Sequence, residues 1–172
     1  MMHKKLIGAA MVLLMTAVPA MAEDGPSDPQ IAHIAYTAGA LDAEAGKLAL
    51  LKSHNGAVRD FARTMIRDHE AVNGQALALV KKLGVAPEAN ATSAALSKQA
   101  AQTHARLEAL SGAAFDRAYV ANEVAFHGTV NNALRMTLIP SADNSELKAL
   151  LEAGLTLFSE HQAHAEQLAK KL

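Results

Sequence analysis

Residues 57–83 have the sequence AVRDFARTMIRDHEAVNGQALALVKKL. Apolar residues recur in this stretch every three or four positions, which is the spacing of one face of an α-helix. His69 occupies one position of the series, where the repeat calls for an apolar side chain. The stretch therefore predicts a long amphipathic helix that carries a polar side chain into the core. The apolar members of the face are Val58, Ala62, Met65, Val72, Ala76, Leu79 and Leu83.

The same spacing predicts further helices on both sides of this stretch. Alanine and leucine dominate from Gln30 onward, and only Pro87 and Pro140 could interrupt a helix. Long helices paired by short turns, with a longer connection between the pairs, predict an all-α fold. The predicted architecture is a ferritin-like four-helix bundle with a short additional crossover helix, capped by Thr92 or Ser93, between the two hairpins. The predicted helices cover residues 30–53, 57–83, 93–110, 113–138 and 144–172, and residues 139–141 are predicted to break the chain.

The N-terminus has the pattern of a secretory signal peptide. A basic start precedes an apolar run over residues 6–18, and Ala20, Met21 and Ala22 form a small-residue cleavage site. We therefore expect a periplasmic or secreted protein that is cut after Ala22, with an uncleaved membrane anchor as the alternative. The predicted organisation is a signal peptide over residues 1–22, a linker over 23–29 and one helical domain over 30–172.

The composition argues against several classes of protein. The formal net charge is −1 over 172 residues, whereas a nucleic-acid-binding protein would need a basic face. The chain has no cysteine, so disulfides and thiolate chemistry are excluded. Only Met65 and Met136 lie beyond residue 22, which argues against a methionine-rich copper site. We expect no stable membrane insertion after signal cleavage, and a protein partner or a homo-oligomer stays open.

Three histidines occupy predicted core positions on three different helices, namely His69, His127 and His161. Glu44 occupies the matching stripe of the first predicted helix. Burying a polar group without a partner costs roughly 1–3 kcal/mol, so four such residues in one bundle predict a shared site. Three imidazoles and one carboxylate suit a divalent transition metal such as zinc, copper or iron.

Two further residues extend this candidate set. Glu123 lies one turn before His127, and His164 lies on the same side of the last helix as His161. The number of residues between each candidate and the nearest predicted turn sets its depth in the bundle. By this count, the depth of His161 matches that of the other candidates least well. Asp68 flanks His69 and is predicted to point to another face of its helix.

The residue pattern also limits the chemistry of the site. Di-iron carboxylate bundles carry Glu-x-x-His on two helices, whereas Ile66, Val124 and Phe158 stand three positions before the candidate histidines. A di-iron enzyme is therefore disfavoured, and a mononuclear histidine-rich site is preferred. No spacing assigns a catalytic residue, and an enzymatic role stays open but is not favoured. The alternative to metal binding is a metal-free buried polar layer in a non-enzymatic envelope-stress or protein-interaction module.

Three stretches resemble the DUF4142 family of exported bacterial proteins. They are Arg67-Asp68-His69, the run LSGAAFDRAYV over residues 110–120, and Glu160-His161. The resemblance covers nearly all of residues 30–172 and implies export and a ferritin-like bundle. It implies no activity, because the family is named for its unknown function.

Overall fold

The computed structural model describes residues 25–172, and every regular element in that range is helical. The predicted all-α helical bundle is therefore confirmed, while the predicted signal peptide lies outside the described residues. The helices are α1 (Asp28–Lys52), α2 (Gly56–Leu83), α3 (Ala91–Glu108), α4 (Gly112–Ala133), α5 (Ile139–Ser141) and α6 (Ser145–Ala169), and a π-helical segment (Leu134–Leu138) joins α4 to α5.

Four long helices form the bundle around two apolar clusters. α1 packs along α2 and α4 along α6, and the contacts of α2 with α6 and of α1 with α4 join the two pairs. One cluster surrounds Phe61, Met65 and Tyr119, and the other surrounds Leu151 and Phe158. The crossover helix α3 lies mainly against α1 and buries only Ser93 and Leu107.

The ends of the helices follow the capping chemistry of the sequence. The Asn55 side chain accepts hydrogen bonds from the backbone N–H groups of Ala57 and Val58, which starts α2. Gly84 ends α2 in the left-handed conformation at φ 66°. The predicted cap of the crossover helix is wrong, because Asn90 rather than Thr92 or Ser93 accepts the capping hydrogen bond from the N–H of Ser93.

The predicted break over residues 139–141 is also wrong. The chain stays helical through the π-helical segment and α5, and it turns only after Ser141. Pro140 follows directly on the π-helical segment, where the regular α-helical hydrogen-bond pattern is already interrupted. Asn144 then caps α6 by accepting hydrogen bonds from the N–H groups of Glu146 and Leu147.

α1 and α2 approach each other closely because glycine lies at their interface. A Cβ atom on Gly46 would lie 2.9 Å from Ile66 Cγ1 and 3.1 Å from the carbonyl oxygen of Ala62. A Cβ atom on Gly39 would lie 2.5 Å from the side-chain oxygen of Asn73. The small residues of α1 therefore face α2, and this face carries Asp42 into the core, where it is 3% exposed.

Candidate metal centre

Three histidines meet in the interior of the bundle, one each from α2, α4 and α6. His69, His127 and His161 are 2%, 1% and 4% exposed. Each offers one ring nitrogen to a group in which all three nitrogens lie within 4.8 Å of one another. Along each helix the histidine lies between residues of the two apolar clusters, so the polar group separates the clusters.

Asp42 on α1 supplies a carboxylate to the same group. Its Oδ2 lies 3.6 Å from His69 Nε2 and 3.6 Å from His127 Nε2, and the two nitrogens are 3.4 Å apart. The centre of this triangle is a point roughly 2.0 Å from all three atoms, which matches a zinc–nitrogen or zinc–oxygen bond length. Three atoms from three helices are thus spaced as ligands of one ion.

A hydrogen bond of the His127 ring determines which of its two nitrogens keeps a lone pair for a metal. Its Nδ1 is 3.0 Å from the backbone carbonyl oxygen of Glu123. A carbonyl oxygen only accepts, so the proton lies on Nδ1 and the Nε2 lone pair points towards the triangle. This is the pattern of metal-binding histidines, whose second ring nitrogen donates to a carbonyl or carboxylate.

His161 is held in a corresponding way by Asp68. His161 Nε2 lies 3.0 Å from Asp68 Oδ2, and Arg67 on the other side holds the pKa of the Asp68 carboxyl below its usual value. The carboxylate therefore accepts the Nε2 proton, and His161 Nδ1 is left with a free lone pair. The expectation that Asp68 points away from the site is wrong, because it reaches His161 across the boundary between α2 and α6.

Burial keeps the imidazoles neutral at physiological pH. It lowers the pKa of His69 to about 3, with His127 and His161 adding to the effect through charge repulsion. Burial likewise lowers the pKa of His127 to about 4 and lowers that of His161. Neutral imidazole is the form that binds a metal, so no proton competes for these nitrogens near pH 7.

A second carboxyl lies beside Asp42. Glu123 is 0% exposed, and its ligand oxygen, one oxygen of Asp42 and one nitrogen of His127 lie within 4.8 Å of one another. Burial raises the pKa of Asp42 to about 7. Burial and the neighbouring charge of Asp42 raise the pKa of Glu123 well above its usual value. The two acids therefore hold protons that a cation would displace.

Several polar atoms of this region find no hydrogen-bond partner within residues 25–172. They include both carboxylate oxygens of Asp42, Oε2 of Glu123, and Nδ1 of both His69 and His161. Buried polar groups are usually paired, because an unpaired one costs about 1–3 kcal/mol. The oxygens of Asp42 and Glu123 and the Nδ1 of His161 are donors that a cation would use, whereas His69 faces the triangle with its other ring nitrogen, Nε2.

Glu44 is not brought to this site. Its side chain is 64% exposed and pairs with Lys47 Nζ at 3.0 Å, so the prediction that it lies in the buried stripe is wrong. The carboxylate that α1 does bury is Asp42, two residues earlier. Two residues turn an α-helix by about 200°, so Asp42 and Glu44 lie on opposite faces of α1.

His164 lies outside the group as well. It is exposed, and its ring packs edge-on against Phe61 at 5.1 Å between centroids. Of the two additional candidates from the sequence, only Glu123 adjoins the histidine group. Asp42 and Asp68 are the members that the sequence pattern missed.

Comparisons with known proteins identify the family and no activity. A family model described as a domain of unknown function (DUF4142) matches residues 13–168, nearly the whole chain. No curated protein sequence and no solved structure gives a significant match. Over the residues that the structure describes, no helix has the length and apolar character needed to cross a membrane.

Proposed function

The chain belongs to the DUF4142 family, and because that family has no assigned function, we propose from the site itself that the protein binds a divalent transition metal ion. The ligands are His69, His127, His161 and Asp42. The observation that carries the proposal is the triangle of His69 Nε2, His127 Nε2 and Asp42 Oδ2, with edges of 3.4, 3.6 and 3.6 Å. These edges fit three ligands on one ion.

The types of donor narrow the class of ion. Three imidazole nitrogens and one carboxylate oxygen suit zinc, copper or iron better than calcium or magnesium, which prefer oxygen. Bonds from the His127 and His161 rings to the Glu123 carbonyl and the Asp68 carboxylate hold two of the ligands in position before the ion arrives. The near-complete burial of the three histidines favours binding and storage of the ion over chemistry on a substrate.

The competing function is an interaction module with a metal-free polar layer. A layer that stabilised the fold by itself would pair its own donors and acceptors. Here both oxygens of Asp42 and the Nδ1 of His161 lack partners within the described residues. The unpaired atoms therefore favour the metal site over the polar layer.

The N-terminal sequence indicates the compartment in which the protein would bind its ion. Residues 1–22 have the basic, apolar and small-residue order of a signal peptide. We propose that the mature protein takes up its ion outside the cytoplasm, in the periplasm or after secretion. Storage, sensing and protection from metal stress are the roles that such a site would serve there.

The test is metal content in a purified, untagged mature protein. We expect about one zinc per chain by elemental analysis, and His161→Ala should reduce the zinc affinity by at least about tenfold. His164→Ala is the matched control, because it removes an exposed histidine one turn further along the same helix. A melting temperature that ignores zinc, copper, iron and manganese would refute metal binding and support the metal-free layer.

A further inference from the structure

A cavity of about 520 Å³ lies between α1, α3 and α4. Asp42 and Glu123 form part of its inner wall, and Glu44 and Glu108 belong to its outer lining. Among the described residues, no lysine or arginine lines the cavity. The lining of the cavity is mostly apolar, and its acidic side chains include the two that adjoin the histidine group.

The inner wall carries oxygen atoms without partners. Asp42 uses Oδ2 in the histidine triangle, which leaves its Oδ1 buried and unpaired in this part of the chain. Glu123 Oε2 is buried and unpaired in the same way. Tyr119 precedes Glu123 by one turn on α4, and its fully buried hydroxyl also has no partner within residues 25–172.

We propose that Asp42 and Glu123 hold a second divalent cation, of the class that prefers oxygen ligands, with Mn²⁺ as its representative. Asp42 bridges the two ions by giving Oδ2 to the histidine site and Oδ1 to the second site. The inference rests on the proposed function, because the bridge needs an ion among the histidines. Ions joined by one bridging carboxylate in this manner lie roughly 3.5–4 Å apart.

The ligand chemistry of this second site differs from that of the first. His127 Nδ1 lies 3.8 Å from Glu123 Oε2, but its proton is donated to the Glu123 carbonyl oxygen, so it offers no lone pair. The protein therefore supplies only oxygen donors there. Mn²⁺ and Mg²⁺ bind through one or two carboxylates and complete their shells with water, which the adjoining cavity has room for.

The experiment counts two metals in one protein. Mature protein loaded with one equivalent of zinc is dialysed against MnCl₂ and freed of unbound ion, and both metals are measured per chain. We expect about one zinc and about one manganese in the wild type. Glu123→Gln keeps the shape of the protonated acid, and it should keep the zinc and lose at least about nine-tenths of the manganese. Glu44→Gln, which alters an exposed carboxyl of the same cavity, should keep both metals.

The outcomes separate the two proposals. Wild-type protein that binds none of zinc, copper and iron refutes the proposed function. Wild-type protein that holds zinc but no manganese, or in which manganese displaces zinc, overturns only the second site. Retention of manganese by Glu123→Gln, with unchanged helicity by circular dichroism, overturns it as well.

Discussion

Replacing Asp42 with asparagine should stabilise the metal-free protein and abolish its response to zinc. Asparagine has nearly the shape of a protonated aspartic acid and cannot ionise. Burial raises the pKa of Asp42 from 3.8 to about 7. At about 1.4 kcal/mol per unit, that shift corresponds to a cost on the order of 4 kcal/mol once the wild-type carboxyl has ionised.

The sign of the pH dependence follows from proton counts. Between pH 3.8 and about 7 the folded state keeps the Asp42 proton and the unfolded state has lost it. The unfolded state therefore binds fewer protons, and the wild-type free energy of unfolding falls as the pH rises through this interval. The stability of Asp42→Asn relative to wild type should grow over the same interval and level off above about pH 7.

The assay is urea unfolding followed by far-ultraviolet circular dichroism, from pH 4 to pH 8, with a chelator and then with zinc. Zinc should remove this difference near pH 7, because the wild type gains about 4 kcal/mol at a free-ion concentration 1,000 times its dissociation constant. Glu44→Gln is the control and should change stability by less than about 1 kcal/mol, because its ion pair is exposed. A difference between Asp42→Asn and wild type that does not vary with pH would refute the reasoning.

Two other predictions concern Asp68, which holds the His161 ring, and the close contact of α1 with α2. Asp68→Asn should weaken zinc binding about 10- to 100-fold in a competition assay with a chromophoric chelator, because His161 loses its anchoring carboxylate; an unchanged affinity would contradict the role of Asp68. Gly46→Ala should lower the free energy of unfolding by about 1–3 kcal/mol, since the new Cβ would contact Ile66 and backbone of α2. Gly74→Ala, where nothing lies within 4 Å, should instead raise it by about 0.5–1 kcal/mol, and equal effects of the two changes would argue against a close contact of α1 with α2.

The helices could be predicted from sequence because their apolar spacing is regular over many turns. α2 ends where Gly84 predicted it, and the buried positions of the three histidines follow from the same spacing. The chain turns later than expected because the π-helical segment carries the helix on past Pro140. That outcome depends on the local hydrogen bonding, which a list of residues does not contain.

The leucines of α1 predicted only part of its buried face. Leu51 lies seven residues after Glu44 in the predicted stripe and is 81% exposed, whereas Leu48 is buried together with Asp42 and the small residues. In an alanine-rich helix both sides are apolar, so only the partner helix decides which side is covered. The series Gly39, Asp42, Gly46 and Ala49, spaced by three or four, was the available signal for a close helix contact.

The weak attachment of α3 has a consequence for how ions reach the carboxyls. Its backbone amides should exchange with deuterium sooner than those of α1 or α2, because a helix that buries only Ser93 and Leu107 opens at low free energy. Such an opening leaves the contacts among α1, α2, α4 and α6 in place. It exposes the wall of the cavity that Asp42 and Glu123 line. The rate of metal uptake would then depend on local opening of α3 rather than on unfolding of the whole domain.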